Sequence, residues 1–235
     1  MRTSNPRGRS SGRRARHRAS PVRQTPAKTP PTPRKRATNR AAKSEARRAA
    51  IVQAALDEFC ARGFAATRID DVAARAGVAK GTIYLYFDHK EALFREIVTT
   101  MLVPLVSVLE APPTGIPIRD VITRFVDLFV REIYSTQRRN VLRLVMTEGP
   151  RFPGLAEFHY RNVVERALAA MRALLAHALE RGELKDDRLV RFPQLIVAPA
   201  MVAIVWSGLF DRFAPLDAAA MMRAHIDTLF EGCAP

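Results

Sequence analysis

An all-α fold follows from three features of the sequence. Apolar residues recur at three- and four-residue intervals from about Lys43 onward, beginning with Ile51, Val52, Ala55, Leu56 and Phe59. Alternating Val, Ile, Thr and Tyr runs are scarce, as are Asn-Gly and Asp-Gly turns, while Ala, Leu, Arg and Glu abound. The 235 residues are 48% hydrophobic, enough for the core of one large domain or of a small domain joined to a medium one.

The first forty residues stand apart from this pattern. They hold eleven Arg, two Lys, six Pro and no acid, a charge of +13. Residues 41–235 hold 25 basic and 23 acidic residues, a charge of +2, so the formal +15 belongs almost wholly to the first segment. With scarcely a large apolar side chain, such a segment buries too little surface to offset its ordering entropy. Residues 1–42 are therefore expected to be a disordered basic arm. Two readings of it stay open: sequence-independent phosphate contacts beside a folded DNA-binding unit, or a solubilising tail or over-long start.

Cys60 and Cys233 lie too far apart for a disulfide framework or a zinc spacing, which fits a reducing cytoplasm. No apolar signal core follows the basic start. The stretch Leu195 to Trp206 reads as the longest apolar run; its twelve residues include Pro199 and fall short of a bilayer. The expectation is a soluble cytoplasmic protein with no membrane partner.

The folded part divides at its glycines and prolines. Gly63 closes the first helix, where a left-handed cap forms readily, and Phe64 follows as its hydrophobic neighbour. Thr67 reads as the N-cap of a second helix, with Asp70 at the capping-box position. Ile69, Val72, Ala73 and Ala76 form its inward face. Gly77 ends it and Val78 plugs the bend. A short third helix is expected over about Ala79 to Phe87. Asp88 then caps a fourth, with Glu91 in its first turn and a stripe of Leu93, Phe94, Ile97, Val98, Met101, Leu102 and Leu105. Longer helices are expected near 117–135, 138–149, 154–181, 187–213 and 216–231, interrupted by Gly149-Pro150, "FPG" at 152–154, Gly182 and Pro215.

Two short helices joined by a glycine-containing turn and packed on a preceding helix describe a helix-turn-helix. The faces of the second short helix divide accordingly. Ile83 and Phe87, four apart, supply the docking stripe, and the pairs Lys80/Tyr84 and Thr82/Tyr86 flank it. Gly81 leaves the entry turn bare, so the backbone can approach DNA closely, while Lys80, Thr82 and the tyrosines bring charge and hydroxyls. Leu85 is left between touching a thymine methyl and packing on its own domain.

The run "TRIDDVAARAGVAKGTIYLYFDHKEALF", with the preceding "FCARGF", resembles the DNA-binding signature of the TetR/AcrR family of bacterial transcriptional regulators. The similarity covers about Ser44 to Phe94. It implies an N-terminal three-helix helix-turn-helix domain at 43–95 joined to a C-terminal helical bundle at 96–235 for ligand binding and dimerisation. It further implies a homodimer reading a roughly palindromic double-stranded DNA operator. By this resemblance Lys80, Gly81 and Thr82 lie at base edges, and Tyr84, Tyr86 and Lys90 at phosphates. Thr67 or Arg68 touches the DNA backbone, and His89 stands where the family pattern varies.

"LRLVMTEGPRFPGLAEFHY" is similar to a segment of AcrR-like C-terminal domains, which implies a pocket for a small effector inside the bundle. Phe125, Phe129, Met146, Phe158, His159, Met171 and Trp206 are its candidate lining, with ordinary core as the competing reading for the apolar ones. Ile196, Ala200, Ala203 and Ser207 form a small-residue stripe, and Met222, Ile226 and Leu229 a second apolar one. Family resemblance pairs these last helices across a dimer; burial within one subunit is the alternative.

No nucleophile–base pairing, phosphate-binding glycine loop or cofactor motif is visible, and none of the five His has metal-ligand spacing. An enzyme, a cofactor and a bound metal are therefore not expected. The resemblance implies a ligand-responsive regulator, a repressor released by a small hydrophobic effector. The alternative is an architectural or sequence-non-specific nucleic-acid-binding protein driven by the basic arm.

Overall fold

Helix α1 runs from Pro33 to Ala66 and starts well before Lys43, so residues 33–42 are helical where a disordered arm is expected. The structure, a computed structural model, describes residues 33–111 and 115–231, with side chains from residue 40; the rest of the arm and Cys233 lie outside them. The described residues from 42 onward form one compact unit, helical and with no strand among the described residues.

Ile51, Ala55, Leu56 and Phe59 are buried as their spacing requires. Gly63 interrupts the helical path at φ 79°, ψ 160°, a region essentially reserved for glycine. The glycine stop is where the sequence puts it, but its extended ψ differs from a left-handed cap. This exit drops the Phe64 ring into the core, 5.1 Å from Phe59 and 6.3 Å from Phe94.

Helix α2 spans Ile69–Ala76 and begins one residue later than expected. Its N-cap position is Arg68, whose backbone N–H donates to Asp71 Oδ2 at 3.2 Å. Thr67 is buried instead, and its hydroxyl faces the carbonyls of Gly63 and Glu58 at 2.8 and 3.2 Å. The last carbonyls of a helix have no partner within it, and the turn at Gly63 brings the threonine back over them. Gly77 (φ 65°, ψ 32°) closes α2, with Val78 N–H donating to Ala73 O at 3.0 Å.

Helix α3 is only Lys80–Tyr84, shorter than the expected Ala79 to Phe87. Ile83 and Phe87 are buried against α1 and α2's core, with Phe87 N–H bonded to Ile83 O at 2.9 Å. Helix α4, Lys90–Met101, is capped by His89 rather than Asp88: His89 Nδ1 accepts the Ala92 N–H at 3.3 Å. Helix α5 is Val103–Glu110 and carries Pro104 in its first turn. Proline has no N–H to donate back into α4, which accounts for the break at Leu102. Lys90–Glu110 together is 21 residues and apolar enough to cross a membrane by length and composition, longer than the Leu195–Trp206 run. Here its Leu93, Phe94, Ile97, Val98, Leu102, Val106 and Leu109 are buried in the protein's own core.

The bundle continues with α6 (Ile118–Phe129), extended by a π turn at Val130–Tyr134, and α7 (Arg138–Glu148). Then come α8 (Pro153–His159), a π turn at Tyr160–Val164, and α9 (Glu165–Glu180), together the single helix expected at 154–181. The helix expected at 187–213 is instead α10 (Arg188–Arg191) and α11 (Gln194–Leu209). Pro193 divides them, because the residue before a proline is pushed out of helical geometry, and Phe192 sits at φ −125°, ψ 65°. Helix α12 is Ala218–Phe230.

His159 is buried at 8% exposure, and its Nδ1 has no hydrogen-bond partner among the described residues. Burial pushes its pKa down to about 4, so it is a neutral core side chain at ordinary pH.

Two outcomes are expected. Gly63→Ala places a side chain at a positive φ with its Cβ 2.7 Å from Glu148 Oε1, so urea titration should show a loss on the order of 2 kcal/mol. The unfolded chain binds a proton at His159 below the ordinary histidine pKa of 6.5, while the folded chain does so only near 4. Stability should therefore fall as pH drops from about 6.5 to 4, by on the order of 3 kcal/mol in total. His159→Phe should flatten that part of the pH profile.

Candidate DNA-binding interface

The outward face of the helix-turn-helix is held up by a buried frame. Ile83 and Phe87 fix α3 from below, and the Arg48 guanidinium of α1 lies 5.5 Å from the Phe87 centroid while pairing with Glu96 of α4. Glu58 of α1 is buried and meets Arg62 at 3.1 Å and Arg75 of α2 at 2.6 Å. That clamp sets the angle between α1 and α2. No sequence motif announces it, because Glu58 sits on a helix where charged residues are usually solvated.

On this frame Lys80, Gly81, Tyr84 and Leu85 are exposed and Thr82 is half-exposed. Tyr84 is 47% and Leu85 81% accessible. The leucine therefore stands free of its own domain. A Cβ at Gly81 would meet nothing within 4 Å, so the backbone there is open to close approach. Lys80 Nζ rests on Asp70 of α2 at 2.9 Å, and the hydrogen bond and charge of that carboxylate raise the lysine's pKa. Lys80 is thus a fully charged donor on a weakly held, exposed pair. Arg68 is exposed at the start of α2.

Three other candidates have internal partners. Thr67 is buried, with its hydroxyl over Gly63 and Glu58, so its side chain does not reach this face. The half-buried Tyr86 has its hydroxyl 2.9 Å from Ser44 Oγ of α1. Lys90 donates to Phe64 O at 2.9 Å and Ala65 O at 3.0 Å. The spacing that brackets Tyr86 with Thr82 marks a shared side of the helix but carries no information about Ser44, 42 residues away.

The candidate ligand residues occupy different settings. Phe129 and Met171 are buried in the core with His159, Met146 is exposed, and Phe158 lies under the Arg95 guanidinium at 5.5 Å. Trp206 donates its Nε1–H to Ala214 O at 2.7 Å and packs 5.2 Å from Phe210. Phe125 lines a largely apolar furrow, with Leu109 of α5, Val121, Arg124 and Leu128 of α6 and Leu174 of α9. Among the described residues no group of three or more His, Cys, Asp or Glu is placed to hold a metal.

The expected dimer stripe also turns inward. Ile196, Ala200, Ala203, Met222 and Ile226 are buried in the chain itself, Leu229 is partly buried, and Ser207 accepts from Arg143 Nη2 at 2.7 Å. The large apolar residues left exposed on α11 are Leu195, Met201, Val202, Val205 and Leu209, with the small Ala198 beside them. Helix α11 is apolar on nearly every side, so periodicity alone does not tell its inner face from its outer one.

Comparison with known proteins agrees with this geometry. Residues 51–97 match the family described as bacterial regulatory proteins of the tetR family. Residues 111–228, half of the chain, match the tetracyclin repressor-like C-terminal domain. An uncharacterized HTH-type transcriptional regulator of Bacillus subtilis, YdeS, is 26% identical over 160 residues, covering 68% of this chain and 78% of the relative. The HTH-type transcriptional repressor SCO4008 of Streptomyces coelicolor is 31% identical over 142 residues, covering 60% and 69%. The solved structure of PfmR, a TetR family regulator from Thermus thermophilus, shares the fold with a TM-score of 0.64 at 21% identity, covering 79% of this chain and 99% of that one. The chain belongs to the TetR family of bacterial regulators, a DNA-binding helix-turn-helix transcriptional regulator and not an enzyme.

Proposed function

We propose that this regulator binds a palindromic operator as a homodimer in the cytoplasm, represses, and is released by a small apolar effector. The single observation that carries the reading is the Lys80–Gly81–Thr82 turn of α3, exposed at Lys80 and Gly81 and half-exposed at Thr82, mounted on buried Ile83 and Phe87. A short helix fixed from beneath, with donors and a bare glycine at its N-terminal end, suits insertion into a major groove. Lys80, Gly81 and Thr82 then read base edges, Leu85 a thymine methyl, and Arg68, Tyr84 and Lys90 face phosphates. Tyr86 orients α3 through Ser44. In functional terms residues 43–95 are the DNA head and 96–235 the effector and dimerisation part, with the basic residues of 1–42 adding sequence-independent attraction.

For the dimer, Leu195, Ala198, Val202, Val205 and Leu209 recur at alternating three- and four-residue steps, and all five are exposed. This is the spacing of a seam between two helices. For the effector, the furrow lined by Leu109, Phe125 and Leu174 favours an apolar molecule entering between α5, α6 and α9.

Binding-site selection with the purified protein should recover one palindromic sequence. Lys80→Ala and Thr82→Ala should each relax preference at particular bases by about 1–3 kcal/mol. Removal of residues 1–40 should weaken all sequences alike and flatten the salt dependence; sequence-blind binding that vanishes with this deletion would favour the architectural reading instead. Val202→Glu with Val205→Glu should yield a folded monomer by sedimentation, with operator affinity reduced at least about a hundredfold. A variant that stays dimeric rejects the α11 seam.

A further inference from the structure

We infer that two residues of the bundle, Glu148 and Phe152, are positioning residues for DNA binding, holding the seat from which Lys90 meets a phosphate. The inference rests on the reading of α3 and the start of α4 as the DNA-facing surface. Lys90 is the first residue of α4, and its ammonium turns back over the end of α1 to donate to Phe64 O and Ala65 O at 2.9 and 3.0 Å. An ammonium has three N–H donors, so one remains beyond these two carbonyls, on a side chain that is half-exposed.

The floor of this seat is aromatic. Lys90 Nζ lies 4.7 Å from the Phe64 ring centroid and 6.0 Å from that of Phe152, and the two rings meet edge to face at 4.9 Å. Phe152 comes from the corner between α7 and α8, so the bundle supplies part of the floor. Glu148, the last residue of α7, accepts the Phe64 N–H with Oε1 at 3.1 Å. Phe64 is thus gripped at its N–H by a bundle carboxylate and at its C=O by the lysine of the DNA head. Beside it, a Cβ at Gly63 would stand 2.7 Å from that same carboxylate oxygen, so glycine admits the grip.

Glu148 Oε2 is buried with no hydrogen-bond partner among the described residues. Half-satisfied buried carboxylates are uncommon, and core filling does not need one here: Leu93, Phe94, Ile97 and Val98 already bury α4. The carboxylate is held for what it fixes, the peptide units of residues 63–65 that orient Lys90. Simple packing between α1 and the α7–α8 corner is the competing account, and the two differ in salt dependence. A phosphate contact contributes about 0.9 to the slope of log K against log salt, hence about 2 for a dimer, whereas packing contributes nothing to it.

The experiment measures that slope with the full chain and the duplex recovered by binding-site selection. Lys90→Ala should lower it by about 2 and weaken matched and mismatched duplexes alike. Glu148→Ala and Phe152→Ala should reproduce that loss, and the Lys90→Ala, Phe152→Ala double variant should lose no more than Lys90→Ala. Glu148→Gln keeps an oxygen for the Phe64 N–H and should restore the wild-type slope. If Phe152→Ala does not fold, Phe152→Leu fills the corner without a π face and takes its place. Variants that melt earlier yet keep the wild-type slope overturn the proposal, as does an unchanged slope in Lys90→Ala; both leave operator binding intact. A wild-type protein that selects no sequence overturns the operator reading and this inference with it.

Discussion

A five-residue helix has no stability of its own, because the first turn fixes several dihedral angles for a single hydrogen bond. Helix α3 exists because Ile83 and Phe87 are buried on α1 and α2, and everything proposed for DNA recognition stands on that burial. The arrangement is economical in residues. Ile83 within the helix and Phe87 just beyond it hold it, and the other four residues of α3 are left exposed or half-exposed. The frame beneath is stiffened by polar groups in buried or half-buried positions: Glu58 between Arg62 and Arg75, Thr67 over the end of α1, and Tyr86 on Ser44.

The DNA head was the more legible half of the sequence. Gly63, Gly77 and the Ile83/Phe87 spacing each impose a backbone or burial requirement that few residues meet, so pattern translates into structure. Legibility ends where a polar side chain has a choice. Thr67, Tyr86 and Lys90 all belong to the signature run, and each turns to an atom that precedes the run: carbonyls of α1, a serine of α1, two carbonyls after Gly63. Hydrogen bonding of that kind leaves no periodic trace. Helix boundaries differ for a related reason: His89 rather than Asp88 caps α4, and Pro193 divides the helix expected at 187–213.

In the bundle the difficulty is different. Helix α11 is apolar around most of its circumference, so the small-residue stripe of Ile196, Ala200 and Ala203 and the stripe of Leu195, Val202 and Leu209 are equally good candidates for an outer face. Only the packing of α7 and α12 against the helix decides, and it buries the first stripe. The ligand candidates share this ambiguity. Aromatic residues fill a core and line a pocket with the same chemistry: Phe125 and Phe129, four apart on one side of α6, line a furrow and fill the core respectively.

Trp206 sits where these two halves of the problem meet. It is the only tryptophan in the chain, tethered at its indole nitrogen to Ala214 O and edge-on to Phe210, on the same helix as the exposed valines. Its emission therefore comes from one known location, next to the surface on which a second copy would settle. In the dimer proposed on α11, this tryptophan would report assembly optically, without a label.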